Sequence, residues 1–258
     1  MKRRTAVGIG TIAAVALGWY LLTTVTGLVS SGRFPSPREF WLALQQALTS
    51  GYADATLLVH AVHSVKLVAM GFAVAILVGV PLGLLMGWSR RAEALINPVF
   101  LIIRPIPPLA WIPLAILWLG LGDSAKIMVI FFAAFVPSVI NTSTGVRSIE
   151  PAMLEAAAMM GTGRLRFVRE VLFPAALPMI FTGLRLSLQA SWTTLVAAEL
   201  VGALAGLGRV LNVAQQDIFP AMILVGMITV SLLGWGTTRL LALAETQLMP
   251  WAHWEGER

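Results

Sequence analysis

The feature of this chain that most restricts its fold is a series of apolar stretches, each long enough to cross a lipid bilayer as a helix. A bilayer core about 30 Å thick takes about 20 apolar residues in helical conformation. Of the 258 residues, 58% are hydrophobic and 12% are charged, and soluble domains carry about twice that charged fraction. The excess apolar surface therefore has to face lipid. We predict an all-α integral membrane protein with six transmembrane helices, at about 7–29, 62–88, 97–120, 125–145, 178–203 and 220–243.

These spans predict one membrane domain with short additions at its ends. We assign 1–30 to an N-terminal transmembrane helix and 31–58 to an outer loop that carries a short interfacial helix. The core with the other five spans covers 59–245, and a cytoplasmic tail covers 246–258. The first apolar run is too long for the hydrophobic part of a signal peptide, so we expect it to be retained.

The cationic side chains lie mainly at the ends of the apolar runs, as the positive-inside rule requires. With the N-terminus inside, the cytoplasmic parts carry most of them: Lys2, Arg3, Arg4, Arg90, Arg91, Arg147, Arg164, Arg166, Arg169, Arg239 and Arg258. The outer parts carry only Arg33, Arg38, Lys126 and Arg209. We therefore expect an inner-membrane protein with both termini in the cytoplasm. The net charge of +6 comes from these clusters, so it does not indicate nucleic-acid binding.

Metal chemistry is not expected. The chain has no cysteine, which excludes disulfides and thiolate metal sites. His60 and His63, at the outer end of the second span, have no further ligand types near them in sequence, and such a pair more often caps or packs than binds metal.

A proline-rich segment interrupts the third span. Residues 104–113 read Arg-Pro-Ile-Pro-Pro-Leu-Ala-Trp-Ile-Pro and contain four prolines, each of which removes a backbone donor and prevents a regular turn. Irregular backbone at membrane depth persists only where protein or a water-filled cavity covers it. We therefore expect this span to face the protein interior.

A polar, helix-forming segment lies on the cytoplasmic side between the fourth and fifth spans. Pro151 suits a first helical turn, and the run from Glu155 to Met160 favours a helix that Gly161 ends. A second helix then runs to Pro174 and Pro178. The segment is either a docking site for a cytoplasmic partner or an ordinary amphipathic connector.

The spacing of Glu155, Ala156, Ala157, Gly161 and Pro174 resembles the EAA loop of permease subunits of binding-protein-dependent ABC importers. Val171 and Phe173 stand where that loop usually has Ile and Leu. The resemblance implies a type I importer (MetI-like) permease fold and a coupling helix that docks on an ATPase subunit. It also implies a homodimer in membrane lipid, two ATP-binding cassette subunits and a periplasmic binding protein. ATP and Mg would bind the ATPase, with no cofactor and no catalysis on this chain, in which we find no phosphate-binding loop.

Further stretches resemble the branch of this family that imports nitrate, sulfonates, taurine and bicarbonate: 104–114, 119–123, 141–146 and 182–185. Three others most resemble members that carry taurine: 191–200, 206–208 and 249–251. The resemblance implies taurine as the cargo, with alkanesulfonate, nitrate or bicarbonate as alternatives.

Charged residues inside spans cost about 2.5–3.5 kcal/mol each on insertion scales and are therefore functional candidates. Lys66 and Arg185 lie near span ends, where they reach the interface. If the third and fifth spans line the path, groups that suit a sulfonate and an ammonium are Arg104, Trp111, Ser191, Trp192, Thr193, Thr194 and Glu199. The other interpretation is that the tryptophans pack between helices and the hydroxyls bond backbone carbonyls.

Two other classes of function remain open on composition alone. The chain would be a stand-alone channel or secondary transporter if it carried substrate without ATP. A membrane-embedded enzyme is the third class, but no His/Asp/Glu cluster within the spans supports it.

Overall fold

The computed structural model describes residues 2–27, 29–30 and 32–251, and the architecture within them is helical. Most of the predicted cytoplasmic tail, including Arg258, lies outside the described residues, as do Met1, Leu28 and Ser31. The α-helices are α1 (Lys2–Tyr20), α2 (Pro37–Thr49), α3 (Leu57–Trp88), α4 (Arg90–Ile103), α5 (Ile112–Leu119), α6 (Asp123–Arg147), α7 (Pro151–Met159), α8 (Arg164–Phe167), α9 (Phe173–Gly202), α10 (Leu207–Gln216) and α11 (Pro220–Leu248). A 3₁₀ turn (Pro108–Trp111) precedes α5, and π-helical turns follow α1 (Leu21–Val25) and α8 (Val168–Leu172).

The chain divides into two compact units. The first contains the described residues up to His63 together with Gly202–Leu232, and the second contains Ser64–Val201 together with the described residues after Leu232. α3 and α11 are continuous helices that begin in the first unit and end in the second.

Within the residues that the structure describes, five helices are long and apolar enough to cross a membrane: Val7–Val25, Leu57–Trp88, Asp123–Arg147, Leu165–Gly202 and Pro220–Leu248. The pair Arg90–Ile103 and Pro108–Leu119 passes the same test as one span that bends by 83°. This broken pair contains the proline-rich third span, so the prediction that its prolines interrupt the helix is confirmed.

The prediction that the third span faces the interior is wrong for the single chain. Arg104, Ile106 and Leu109 are exposed. Phe100, before the bend, and Ile112 and Ala115, after it, are buried in core clusters. The reason is that prolines break the 3.6-residue period, so the segment presents no continuous apolar face to a neighbouring helix.

The start of the fifth span also differs from the expectation. We expected a separate cytoplasmic helix that ends at Pro174 and Pro178, but the helical run continues from Leu165 to Gly202. Pro174 follows the π-helical turn Val168–Leu172 directly. A π turn holds one extra residue and shifts the register of the backbone hydrogen bonds. Pro174, which has no N–H to donate, lies where this register changes. The helix can therefore continue through the proline.

Glycines bring the helices of the second unit into close contact. A Cβ at Gly83 of α3 would lie 2.6 Å from the Cβ of Thr142, and a Cβ at Gly183 of α9 would lie 2.7 Å from the Cβ of Asn141. Gly71, Gly79 and Gly87 of α3 approach α6 similarly. In lipid, where apolar side chains gain little by leaving the solvent, such small residues allow the close packing that holds helices together.

Candidate functional site

The polar segment predicted from the sequence forms an exposed short helix followed by a turn. α7 spans Pro151–Met159 with Pro151 in its first turn. Ala157 is buried, whereas Glu155 and Ala156 are exposed. Met159 and Met160 are 88% and 84% exposed, so two large apolar side chains are exposed at the end of the helix that carries Glu155. Methionine is typical of adaptable protein-binding surfaces, so this face has the composition of a protein contact.

Gly161 ends this helix by its backbone conformation, as predicted. Its φ is +68°, a left-handed value that costs other L-residues about 1–2 kcal/mol. Its N–H donates to the carbonyl of Ala158 (3.0 Å). The hydroxyl of Thr162 donates to the carbonyl of Ala157 (2.7 Å). These bonds satisfy helix-end carbonyls and hold the turn closed.

The second part of the segment is anchored in the core of the second unit. Leu172, in the π-helical turn, is 2% exposed and packs in a cluster with Ala176 and Met249. Leu154 of α7 and Phe167 of α8 pack against the same cluster. The segment therefore has an outer face that is free in the single chain and an inner face that touches the base of the membrane helices.

Arg147, the last residue of α6, joins three helix ends just before this segment. Its guanidinium pairs with Glu93 of α4 at 2.7 Å and donates to the carbonyl of Met86 in α3 at 3.2 Å. From the sequence, Arg147 is only one of the cytoplasmic charges, and this role is not evident. A basic residue at a helix C-terminus, where free carbonyls gather, was the available signal.

The residues proposed for a translocation path lie in different surroundings. Arg104 is exposed in the proline-rich bend, and the indole of Trp111 stacks on Phe132 with ring centroids 4.0 Å apart. On α9, Thr193 is exposed, whereas Ser191, Trp192 and Thr194 are buried.

Several of these side chains already have partners within the second unit. Ser191 donates to the carbonyl of Ser187 (2.8 Å), and Thr193 donates to that of Gln189 (3.1 Å). The Nε1–H of Trp192 donates to the hydroxyl of Thr237 (3.0 Å). In this conformation they pack and bond as the second interpretation of the sequence expects.

Glu199 is fully buried in the second unit. The hydroxyl of Ser64 on α3 donates to its two carboxylate oxygens at 2.9 and 3.2 Å. Buried carboxylates require such donors, because desolvation of the charge is costly. No sequence pattern marks Ser64 as a partner of Glu199, although it follows His60 by four residues and so shares one face of α3 with it.

In the first unit, His60 joins two loops. The backbone N–H of Gly206 donates to Nδ1 (3.1 Å), so the ring proton sits on Nε2, which contacts the carbonyl of Tyr52 at 3.0 Å. A packing role for His60 is therefore confirmed. Among residues 2–27, 29–30 and 32–251, no group of three or more His, Asp or Glu side chains is placed to hold a metal ion.

The loop that His60 holds makes further contacts within the first unit. The hydroxyl of Tyr52 donates to Asp217 (2.5 Å), and Arg209 pairs with Asp54 (2.5 Å). Burial, and then the hydrogen bond and charge of Asp217, raise the pKa of Tyr52. Ala53 and Asp54 have positive φ values of 55° and 74°, a strained conformation that surrounding contacts must hold in place.

Comparison with known proteins agrees with this arrangement of helices. Residues 79–249 match the family described as "Binding-protein-dependent transport system inner membrane component". The matched range covers α4–α11 and the last ten residues of α3, and therefore includes the whole of the α7–α9 segment.

Individual relatives match over nearly the full chain. The taurine transport system permease protein TauC of Escherichia coli (strain K12) is 33% identical over 97% of this chain and 91% of its own length. The putative aliphatic sulfonates transport permease protein SsuC of Bacillus subtilis (strain 168) is 32% identical over 93% of this chain and 86% of its own. The nitrate import permease protein NrtB of Synechocystis sp. is also 32% identical, over 93% and 87%.

The fold is also found among solved structures. A chain from a structure of inward-facing conformations of the MetNI methionine ABC transporter superposes with a TM-score of 0.57 and 20% sequence identity. The match covers 70% of this chain and 92% of that one, and it shows a shared fold. The MetI-like fold that the sequence resemblance implied is therefore confirmed. The chain belongs to the family of inner membrane components of binding-protein-dependent transport systems.

Proposed function

We propose that this chain is the permease subunit of an ATP-driven importer for taurine, with energy coupled through Glu155, Ala156, Ala157, Gly161 and Pro174. The observation that carries the coupling role is the exposed outer face of α7, with its carboxylate and paired methionines. The chain itself is non-catalytic, and ATP is hydrolysed by the partner subunit. Two ATPase subunits bound to ATP and Mg would close and push on α7. The membrane helices would then change between inward- and outward-facing states as nucleotide shifts their populations.

A second copy of this chain completes the path across the membrane. The exposed proline-rich bend supports this proposal, because lipid cannot satisfy its free backbone groups. The positions of the cationic side chains support an orientation with α7 and both termini in the cytoplasm. A periplasmic binding protein would then deliver taurine from the opposite side.

Taurine is favoured as cargo by the similarity to TauC, and relatives named for other sulfonates and for nitrate are about equally similar. Arg104, Trp111, Ser191, Trp192, Thr193, Thr194 and Glu199 remain our candidates for the path. The buried members would meet substrate only if α9 rearranges during transport.

The decisive experiment reconstitutes the chain with its ATPase and binding protein in liposomes. We expect ATP-dependent uptake of taurine and a rise in ATPase activity when taurine is supplied. Alkanesulfonate, nitrate and bicarbonate are the comparison ligands. Stronger uptake or ATPase stimulation with one of them would identify that ligand as the cargo in place of taurine. Uptake by the chain alone without ATP would instead favour a channel or secondary transporter.

A further inference from the structure

An open cavity of about 440 Å³ lies where α3 ends and α4 begins. It is lined by Trp88, the last residue of α3, by Ser89, which caps α4, and by Arg90 and Arg91. The proposed coupling role uses none of these residues, and the cavity combines two cations with one aromatic ring.

The charge of this cavity is strongly positive. Arg90 and Arg91 are exposed, and neither forms an ion pair within the part of the chain that the structure describes. Glu93, the acidic residue in the first turn of α4, pairs with Arg147 at 2.7 Å. The hydroxyl of Ser89 accepts the N–H of Ala92 (3.3 Å). The cavity thus offers two guanidinium groups, whose planar forks match the oxygens of a phosphate.

Under the orientation given for the proposed function, the cavity lies at the cytoplasmic end of α3, where we expect the lipid headgroups. α3 has 32 residues and is about 48 Å long, which exceeds a hydrocarbon core of about 30 Å. Trp88 stands at its end and is 45% exposed, and tryptophan is enriched at the membrane interface. Leu85, one turn earlier, is 47% exposed, so apolar surface continues from the two arginines toward the bilayer.

We propose that this cavity binds the phosphate of an anionic phospholipid in the cytoplasmic leaflet. The proposal rests on the orientation given under the proposed function. The arginines hold the phosphate, the Trp88 ring lies at the glycerol level, and the acyl chains run past Leu85. A free phosphate would use the arginines alone and would leave this apolar surface without a role.

A bound headgroup would also steady the coupling segment. The ring of Trp88 lies 6.5 Å from that of Phe167 in α8, and Phe167 belongs to the part of the segment that packs on the core. Occupation of the cavity fixes Trp88 and so restrains α8 from the membrane side. Coupled transport is then expected to depend on anionic lipid.

Native mass spectrometry of the purified full-length chain tests the binding step. The delipidated protein is titrated with short-chain phosphatidylglycerol, short-chain phosphatidylcholine and inorganic phosphate. We expect phosphatidylglycerol to be retained, and the double variant Arg90→Gln/Arg91→Gln to lose it by roughly ten- to thirtyfold, since each basic residue near an anionic surface contributes to binding. Arg239→Gln is the control variant. Under the same orientation Arg239 is also a cytoplasmic-side arginine beside a tryptophan, because it lies over the ring of Trp235, but both residues are in α11 and away from the cavity lining. This variant should retain the lipid.

Equal retention of the two lipids by the unmodified chain would overturn the proposal even if the double variant fails to fold. So would equal loss in the control variant, or binding of inorganic phosphate as tightly as of phosphatidylglycerol. The readout needs no transport, so its failure is separate from a failure of the importer function. A reconstituted complex that binds phosphatidylglycerol at this site should also transport more per ATP in its presence.

Discussion

At the scale of single residues, Gly161 and Gly163 provide a test of the turn that closes α7. A Cβ on either would meet nothing within 4 Å, but only Gly161 has a positive φ. Gly161→Ala should therefore strain the turn by about 1 kcal/mol or more, while Gly163→Ala should not. The chemical change is the same, so side-chain contact cannot explain a difference.

We expect Gly161→Ala, and more strongly Gly161→Asp, to lower transport per ATP hydrolysed severalfold in the reconstituted complex, while the protein still inserts. Gly163→Ala should transport normally. The measurement is the ratio of uptake to ATPase activity. Normal coupling in both Gly161 variants would count against α7 as the coupling element.

Tyr52 provides a second test, in the first unit. Tyr52→Phe removes the hydrogen bond to Asp217 but keeps the ring that packs edge-on against Phe219. We expect a loss of about 1 kcal/mol in the free energy of unfolding, measured by denaturant or heat in detergent near pH 7.

The same variant has a pH signature. The raised pKa of Tyr52 means that the folded state favours the neutral phenol. The hydroxyl therefore makes its full contribution to the free energy of unfolding below the ordinary pKa of about 10. This contribution is lost as the pH rises through the raised value. The difference in stability between the unmodified chain and Tyr52→Phe should therefore be constant below about pH 10 and shrink above it. A constant difference at all pH values would exclude ionisation of Tyr52 as its source.

At the scale of helices, the contact of α3 with α6 depends on glycine. In Gly83→Ala the new methyl would lie 2.6 Å from the Cβ of Thr142 and 2.8 Å from the carbonyl oxygen of Val139. Because the backbone cannot move aside as a flexible side chain can, we expect the free energy of unfolding to fall by about 1–3 kcal/mol. The midpoint of thermal unfolding in detergent should fall accordingly.

Gly236→Ala in α11 is the control for this change, since nothing lies within 4 Å of its Cβ. Its unfolding midpoint should stay the same or rise slightly, because alanine favours helix. If the unfolding midpoint falls equally in Gly83→Ala and Gly236→Ala, close packing against α6 does not explain the effect at Gly83, and the flexibility of glycine does. The buried hydroxyls of Ser138 and Thr142 have no hydrogen-bond partner among the described residues, which fits a contact with no room for water.

At the scale of the whole molecule, the proline-rich bend requires a cover that the single chain does not provide. If a second copy provides it, Ile106→Cys should crosslink between copies with a short bis-maleimide. The chain contains no cysteine of its own, so every crosslink would report the introduced site.

Ile12→Cys serves as the control, because Ile12 lies on the regular helix α1 and is 73% exposed, where lipid suffices as a cover. We expect a dimer band on denaturing gels for position 106 and none for position 12. Absence of the band at position 106, in membranes where the complex is active, would exclude the bend from the dimer contact.

The positions of the spans could be predicted from the sequence because hydropathy is a local property of about 20 residues. The break at 104–113 and the turn at Gly161 could be predicted for a similar reason, since proline and glycine act on the backbone at their own positions. The helical continuation through Pro174 could not, because it depends on a π turn whose register no local rule assigns. Likewise, the pairing of Arg147 with Glu93 joins residues of different helices.

The order of residues alone is enough to predict a helical membrane protein, the positions of its spans and the polar segment between two of them. Which polar side chains meet, and which face outward, depends on the packing of the helices. This packing places Glu199 under the hydroxyl of Ser64, joins His60 to two loops and leaves α7 and the proline-rich bend exposed. The physical reason is that hydropathy and backbone propensity act within one helix, whereas burial and hydrogen bonding depend on which helices come into contact.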